Sequence, residues 1–326
     1  MEEFQKCDQK SENLEYTVIK SKTYSSFHTL IAITLWLGAL HLNLVITALV
    51  FLFFPLKYAV LLFMLMVLNT LIPVDDQSKF GGRVARYIGK YGPGYFPTTV
   101  LIEDIQSFDP NQAYVLAAEP HSIFPIGCLS LLNITGLMPL SKTKGLASNA
   151  TFYPPLLRQV GTWTGLVPAT KKNFVKYLEA GYSCIVIPGG VQEIFYMEHG
   201  SEVAYLKKRQ GFVRIAIETG RPLVPIFCFG QTNVYNWWKP KGDLYTRIAR
   251  AIRFAPLLYW GMFGTHIPYR RPMHVIVGRP IELKRNPNPS KEEVAEVHAL
   301  FVSKLEQLCQ RHKAAAGHAD IQLRVI

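Results

Sequence analysis

Charged residues are scarce in this chain of 326 residues. Only 18% are Asp, Glu, Lys or Arg, against about 25% in ordinary soluble domains. Cysteine is also sparse, at 5 residues, and no two lie at CxxC or metal-ligand spacing, which excludes a disulfide scaffold. Hydrophobic residues make up 49%, so a disordered chain is excluded as well. This cysteine usage favours a reduced domain that faces the cytosol.

Acidic residues are few beside basic ones, 23 against 35, and the formal net charge is +12. Residues 29–72 contain a single charge, Lys57, and residues 1–28 are close to neutral. The positive charge therefore belongs to residues 73–326, which suggests an anionic partner: nucleic acid, an acidic membrane face or a phosphate-bearing ligand. No long Lys/Arg run and no nucleic-acid motif is present, so we expect no nucleic-acid partner.

Several catalytic signatures are missing. The chain has no Walker A loop, no HExxH motif, no dinucleotide fingerprint and no GxSxG nucleophile elbow. It also has no sequence cluster of metal ligands. We therefore expect neither a metal nor a bound cofactor.

One long apolar stretch covers residues 29–72, and its length is enough for two membrane spans of about 20 residues each. Residues 41–43 and 55–57 are the alternative turns of such a hairpin. Basic residues flank both ends, which favours the cytosol on both sides. We therefore expect a cytosolic tail at 1–28, a membrane hairpin of one or two spans at 29–72, and a cytosol-facing domain at 73–326. A buried core hairpin is the alternative.

The rest of the chain alternates between strand-like and helix-like patterns, which predicts an α/β domain. Thr170 and Ser290 are predicted helix N-caps, and Ser290 opens a capping box with Glu293. We predict helices at 170–180, at 200–219 and after Ser290. We predict strands at 98–102, 113–118, 182–187, 223–229 and 274–277.

The first candidate for chemistry is the string Glu119-Pro-His121-Ser122, directly after a predicted strand. Catalytic groups are common where a rigid strand passes into a loop. Histidine suits proton abstraction from a hydroxyl because its pKa lies near neutrality. A structural histidine that satisfies a turn is the other interpretation.

Two further strings lie downstream. Pro188-Gly-Gly190, with Glu193 behind it, follows another predicted strand, and its amides suit an anion nest or an oxyanion site. An ordinary strand-to-loop turn is the alternative. Residues 207–214 carry a basic cluster on a predicted helix, which suits phosphate binding. A solvated helix face is the alternative.

Together, these strings resemble the type 2 diacylglycerol acyltransferases, and most closely the plant members. Animal and fungal members read His-Pro-His-Gly where this chain has Glu119-Pro-His121-Ser122. The similarity runs from about Gly81 to Lys313. Its main strings are YFP at 95–97, EPHS at 119–122, PGGVQE at 188–193 and RQGFVRIAIETG at 209–220.

The resemblance implies acyl transfer from acyl-CoA to diacylglycerol, which makes triacylglycerol at the endoplasmic reticulum membrane, with lipid droplets as a further location. It also implies a domain similar to the glycerophospholipid acyltransferases, with a mixed sheet flanked by helices. Monoacylglycerol and long-chain alcohols are alternative acceptors, because the site chemistry would be identical. A non-catalytic lipid-binding protein is the alternative of another class.

The resemblance further implies that His121 is the general base. The aspartate that follows the histidine in the wider superfamily is missing here, so Glu119 and Glu193 are the candidates that orient His121. The related phospholipid enzymes carry Pro-Glu-Gly where this chain has a second glycine, Gly189, a difference that fits a neutral acceptor. The expected substrate-binding residues are Pro188, Gly189, Gly190, Lys208, Arg209, Gly211, Phe212 and Arg214.

Overall fold

A computed structural model of the chain describes residues 10–11, 14–240, 242, 247 and 257–326. The strands in this part of the chain are β1 (Lys10–Ser11), β2 (Leu14–Glu15), β3 (Thr17–Lys20), β4 (Thr98–Ile102), β5 (Val115–Glu119), β6 (Thr143–Ala147), β7 (Leu166–Pro168), β8 (Ser183–Val186), β9 (Ser201–Ala204), β10 (Leu223–Phe229), β11 (Asn236–Trp238), β12 (Leu258–Trp260), β13 (Met273–Val277) and β14 (Gln322–Val325).

The α-helices are α1 (Ser26–Trp36), α2 (Ala39–Phe53), α3 (Leu56–Asn69), α4 (Lys79–Tyr95), α5 (Leu157–Trp163), α6 (Lys171–Glu179), α7 (Glu193–Tyr196), α8 (Gly211–Thr219) and α9 (Lys291–His312). Both predicted caps are confirmed. The Thr170 hydroxyl accepts a hydrogen bond from the Asn173 amide, and the Ser290 hydroxyl accepts one from the Glu293 amide at 3.0 Å.

An eight-stranded mixed sheet forms the centre of the domain, in the order β3-β4-β13-β10-β5-β8-β6-β7. Strands β10, β5, β8, β6 and β7 run parallel, whereas β3 and β13 pair antiparallel with β4 and β10 respectively. The central strands β5 and β10 are buried along their whole length. Their continuous apolar runs are typical of strands that are covered on both faces. The expected α/β fold with a mixed sheet is confirmed.

Helices cover both faces of this sheet. Val224, Ile226 and Cys228 of β10 join the core on one face, with residues of α1 and α4. Phe227 and Phe229 point to the opposite core, as the two-residue period of a strand requires. That second core is formed with α6, α8 and α9.

The predicted helix at 200–219 is wrong in its first half. Residues Ser201–Ala204 form strand β9, which pairs in parallel with β14 near the end of the chain. Helix α8 begins only at Gly211 and ends at Thr219, and Gly220 caps it with φ +61°. The strand was missed because its partner lies about 120 residues away and leaves no local pattern.

The apolar stretch 29–72 folds as three short helices instead of two long legs. Its breaks lie at residues 37–38 and at Phe54–Pro55, so the expected alternative turn at 41–43 is wrong: those residues lie inside α2. Among the described residues, no individual helix has the length and apolar character of a membrane span. Residues Ser26–Trp36 and His41–Phe53 meet the criteria as a pair, bent by 77°.

The three apolar helices differ in their surroundings. Helix α1 packs into the domain, where Ala32 and Ile33 are buried. Helices α2 and α3 carry large exposed apolar side chains, among them Leu52 and Phe53, which are 75% and 76% exposed. Strand β3 from the expected N-terminal tail also joins the main sheet beside β4. The α/β domain therefore includes residues on both sides of α2 and α3.

Candidate active site

Three neighbouring parallel strands end at one edge of the sheet. The string Glu119-Pro-His121 follows β5, the glycine pair 189–190 follows β8, and Gln231 follows β10. Because parallel strands carry their carboxyl ends to the same edge, the structure brings the first two candidate strings together there. This edge is the candidate active site.

The His121 ring is held by its own loop. Its Nδ1 atom lies 2.8 Å from the carbonyl oxygen of Ser122. A carbonyl only accepts hydrogen bonds, so the proton resides on Nδ1 and Nε2 is left as an acceptor. Burial lowers the pKa of the imidazole, which keeps it neutral near pH 7. The Ser122 carbonyl thus occupies the orienting role for which the sequence offered only Glu119 and Glu193.

Glu119 and Glu193 join the two loops by reciprocal hydrogen bonds. Glu119 Oε1 accepts from the Gly189 amide at 3.1 Å, and Glu193 Oε2 accepts from the His121 amide at 3.0 Å. Each loop therefore supplies one carboxyl group and one amide. We call this four-residue arrangement the cross-brace. Its contact with His121 is to the backbone amide, whereas the imidazole is held by the Ser122 carbonyl.

The two carboxyl groups of the cross-brace are buried and lie within hydrogen-bonding range of each other. The remaining oxygens, Glu119 Oε2 and Glu193 Oε1, have no other partner in the part of the chain that the structure describes. Burial raises the pKa of Glu119 to about 7 and, with the neighbouring Glu119 charge, raises that of Glu193 well above its ordinary value. One proton shared between the two carboxyls would let this buried pair carry a single negative charge instead of two.

Gly189 has no space for a side chain. A Cβ atom there would lie 1.8 Å from Glu193 Oε1, so only glycine is compatible with the cross-brace. Gly190 has open space around it but adopts φ +58°, a conformation that favours glycine. The glycine pair is therefore required for two different reasons.

Gln231 fastens the His121 loop from the side of β10. Its Nε2 donates to the Pro120 carbonyl, and its Oε1 accepts from the Gly127 amide at 3.1 Å. The Ser122 hydroxyl donates to the Gln231 carbonyl at 3.4 Å. Sequence reasoning did not assign a role to Gln231. Its place directly after a buried strand was the signal that could have indicated one.

A third buried carboxyl lies near this edge and was also missed. Glu202 on β9 is 3% exposed and accepts a hydrogen bond from the Thr232 hydroxyl at 2.7 Å. Burial raises its pKa to about 7. The wrong helical prediction for residues 200–219 concealed this residue, because it left Glu202 on an unassigned helix face.

The residues of the basic cluster at 207–214 lie in different environments. Lys207 and Lys208 are exposed and precede α8, so the expectation that they lie on a helix is wrong. Arg209 points to the glycine loop: its Nη2 donates to the Gly189 carbonyl at 3.5 Å, and its guanidinium lies 5.2 Å from the centre of the Tyr205 ring. Its Nε is buried without a partner among the described residues.

The other expected substrate-binding residues are spread along α8, with the exception of Pro188, which is half-buried in the glycine loop. Gly211 is exposed at the start of the helix. Phe212 is buried in the core, with its ring centre 5.1 Å from that of Phe301. Arg214 donates to the Pro289 carbonyl at 3.0 Å and so ties α8 to the segment before α9. The structure therefore gives Phe212 and Arg214 packing contacts.

No group of three or more His, Cys, Asp or Glu side chains is placed to hold a metal ion within the described ranges. The arrangement can instead accept a proton at His121 Nε2, present backbone amides from the glycine loop, and offer a guanidinium beside that loop. These are the components of base-assisted transfer to or from a carbonyl group.

Fold and site together define an α/β protein with a histidine-centred site at the carboxyl edge of its sheet. The chain belongs to the diacylglycerol acyltransferase family, whose family model matches residues 50–325. It is therefore an acyltransferase by family.

The chain is similar to several curated relatives at the same level of identity. It is 29% identical to diacylglycerol O-acyltransferase 2 of Dictyostelium discoideum, over 76% of this chain and 81% of the relative. It is 29% identical to acyl-CoA wax alcohol acyltransferase 2 of Mus musculus (73% and 76% covered) and to 2-acylglycerol O-acyltransferase 3 of Homo sapiens (74% and 77%). A solved 1-acyl-sn-glycerophosphate acyltransferase of Thermotoga maritima aligns with a TM-score of 0.42 and 16% identity, over 83% of this chain and 96% of that one.

Proposed function

We propose that this chain is an acyl-CoA-dependent acyltransferase that esterifies the free hydroxyl of diacylglycerol, with His121 as general base. The observation that carries the proposal is the hydrogen bond from His121 Nδ1 to the Ser122 carbonyl. It places the ring proton on Nδ1 and leaves Nε2 unprotonated, as a proton acceptor requires.

In this mechanism, the acceptor hydroxyl gives its proton to His121 Nε2 while its oxygen attacks the thioester carbonyl carbon. The carbon–sulfur bond of the tetrahedral intermediate then breaks. The thiolate leaves and takes the proton from the imidazolium, so free CoA and the new ester are the products and His121 is neutral again. Residues 187–190 lie at the same sheet edge and would supply amides to the developing oxyanion.

The cross-brace limits which backbone amide of the glycine loop can donate to the oxyanion. The Gly189 amide already donates to Glu119 Oε1, so it is committed to structure. We therefore assign the oxyanion contact to the next amide, that of Gly190, whose φ of +58° turns the chain at this point. Glu119 and Glu193 act as positioning residues, because they touch the His121 backbone and the glycine loop.

Acyl-CoA binding is assigned to the basic segment before α8. Arg209 is anchored beside Gly189 and retains a buried N–H group without a partner among the described residues. Lys207 and Lys208 are exposed next to it. Guanidinium and ammonium groups are suitable partners for the CoA phosphates. Gly211, at the exposed start of α8, belongs to the same surface.

The acyl acceptor is assigned from the apolar side chains that two helices of this chain expose. Helices α2 and α3 expose apolar side chains such as Leu52 and Leu56, at 75% and 71%, and a patch of this kind is suited to lipid contact. We propose that these helices seat the domain on the cytosolic face of the endoplasmic reticulum membrane or of a lipid droplet, where diacylglycerol is dissolved. The EPHS string further supports a plant-type member of the family.

The test is acyl transfer by microsomes from a host that lacks its own triacylglycerol synthesis. Wild type and His121→Ala would receive labelled acyl-CoA with diacylglycerol, monoacylglycerol or a fatty alcohol. We expect wild type to form triacylglycerol and His121→Ala to form it about 10²–10⁴-fold more slowly. His199→Ala, at an exposed position, is the matched control.

Near-normal turnover by His121→Ala would remove His121 from the mechanism. Ester formed only from monoacylglycerol or fatty alcohol would replace diacylglycerol as the acceptor. No ester from any acceptor, with folded and membrane-bound protein, would indicate a lipid-binding protein without this activity.

A further inference from the structure

A groove lies between α2, α3 and the segment 155–159, and its volume is about 400 Å³. This volume is within the range of about 300–1,000 Å³ found for small-molecule sites. Its walls are hydrocarbon, which suits an acyl or alkyl chain. The apolar wall residues are Ile46, Val50, Leu62, Leu65 and Met66.

One end of the groove is polar, and the Asn43 side chain there is oriented by its neighbours. Its Nδ2 donates to the Ala39 carbonyl at 2.8 Å and to the Pro155 carbonyl. Because both partners only accept, the amide cannot be turned around. Asn43 is 7% exposed, and its Oδ1 has no partner among the described residues.

The side chain of Gln159 provides a second buried acceptor without a partner at the same end of the groove. Gln159 Nε2 donates to Asn69 Oδ1 at 3.0 Å, which leaves Gln159 Oε1 buried without a partner in the described chain. The polar end therefore presents two unpaired acceptors and needs a hydrogen-bond donor. Arg158, beside Gln159 in the chain, donates to the carbonyls of Asn69 and Ile72.

We infer that this groove binds a neutral lipid with a free hydroxyl, such as diacylglycerol, whose hydroxyl donates to Asn43 Oδ1 or Gln159 Oε1 while a hydrocarbon chain lies along the apolar walls. This inference rests on the proposed function, since it names where the acceptor is held. A phospholipid fits less well, because a phosphate diester brings a negative charge and no donor to two acceptor oxygens.

The groove is connected to the candidate active site through α2. His41 lies two residues before Asn43 in α2. Its Nε2 lies 2.9 Å from the Tyr259 hydroxyl. The Tyr259 ring lies 5.4 Å from the ring of Phe124, which follows His121 by three residues. A chain of side-chain contacts therefore runs from the helix that carries Asn43 to the segment that follows His121.

The test uses the full chain in phosphatidylcholine vesicles with a diazirine-bearing dioleoylglycerol as the photoprobe. We expect labelling of α2, α3 or residues 155–159. Unlabelled dioleoylglycerol should compete about fivefold better than its methyl ether, which keeps both chains but lacks the hydroxyl donor. Equal competition by the methyl ether, or by added phosphatidylcholine, would show that the groove takes any lipid chain and would overturn the inference.

Two variants on one helix give the matched control. Leu65 lines the groove and Leu68 does not, and the two side chains are 52% and 49% exposed. We expect Leu65→Trp to reduce labelling and to raise the KM for diacylglycerol about fivefold, with the KM for acyl-CoA unchanged. Leu68→Trp should behave as wild type. Equal effects of the two variants would contradict the inference.

Photolabelling requires no turnover. The experiment therefore distinguishes a failure of the lipid site from a failure of the proposed esterification activity. Specific labelling of the groove without esterification of any acceptor would overturn the proposed function and keep the lipid site. Diacylglycerol esterification with labelling outside the groove would keep the function and remove this site.

Discussion

Replacing Glu119 by glutamine tests the shared proton of the cross-brace directly. In Glu119→Gln, the side-chain oxygen can still accept from the Gly189 amide. The new NH₂ group can donate to Glu193 Oε1, which is one of the two orphan oxygens. The variant therefore keeps the geometry that holds His121 without needing a proton from solvent.

The expected magnitude follows from the pKa of Glu119. This carboxyl has an ordinary value of 4.5 and a value of about 7 in the folded protein, chiefly because it is buried. Between these values the folded state retains a proton that the unfolded state has released, so stability falls as the pH rises. At about 1.4 kcal/mol per pH unit, Glu119 by itself lowers the unfolding free energy of wild type by about 3 kcal/mol from pH 4.5 to 7.

The neighbours of the pair act on its ionisation in both directions. Arg209 and the Gly189 amide favour the ionised form of Glu119, and Glu202 disfavours the ionised form of Glu193. Burial outweighs the first two. The last proton of the pair stays on Glu193, whose pKa is raised well above its ordinary value by burial and by the neighbouring Glu119 charge. When the pair loses that proton at alkaline pH, two adjacent carboxylates repel each other between the His121 loop and the glycine loop.

The assay measures thermal unfolding and kcat/KM of the detergent-purified protein from pH 5 to 9. Wild type should lose activity on the acid side as His121 becomes protonated, and on the alkaline side as the cross-brace loses its last proton. Glu119→Gln should keep the acid limb and lose the alkaline one. Glu306→Gln, at an exposed position on α9, is the control. An alkaline limb unchanged in Glu119→Gln would refute the shared proton.

Two further predictions concern the loops. Ser122 adopts φ +57°, and its hydroxyl donates to the Gln231 carbonyl. Ser122→Ala and Ser122→Gly both lose that hydrogen bond, but only glycine relieves the strain, so Ser122→Gly should exceed Ser122→Ala by about 1 kcal/mol of unfolding free energy in denaturant titrations; equal stability would mean that the serine is unstrained. Gly189→Ala places its Cβ 1.8 Å from Glu193 Oε1 and should abolish acyl transfer, whereas Gly190→Ala meets only an unfavourable φ and should cost about 1 kcal/mol. Equal activity of the two alanine variants would contradict the cross-brace.

Much of the fold could be predicted because the informative patterns were local. Strands β4 and β10 have the predicted bounds, and the Thr170 and Ser290 caps lie where side-chain chemistry indicated. Strand β9 could not be predicted, since its partner β14 is distant in sequence. The apolar stretch 29–72 was also misread. Its composition indicates hydrocarbon surroundings but does not separate α1, which packs inside the domain, from the exposed α2 and α3.

In the candidate site, the residues could be predicted from the sequence, but their hydrogen-bond partners could not. The strings around His121 and Gly189 were identified from their positions after strands, and the sheet brings them together. Their hydrogen bonds could not be inferred, because the Ser122 carbonyl, the Gly189 amide and the His121 amide are backbone groups that every sequence contains. Sequence reasoning offered side chains as partners for the imidazole, whereas the structure uses a carbonyl.

The cross-brace also changes the explanation for Gly189. The sequence comparison with Pro-Glu-Gly enzymes suggested that a missing glutamate reflects a neutral acceptor. In the structure, the space beside Gly189 is already occupied by the Glu193 carboxyl, which lies where a Cβ would be. A glutamate at position 189 would displace Glu193 and break its bond to the His121 amide. The glycine is therefore required by the way His121 is held, whatever the charge of the acceptor, and acceptor choice must be decided elsewhere in the protein.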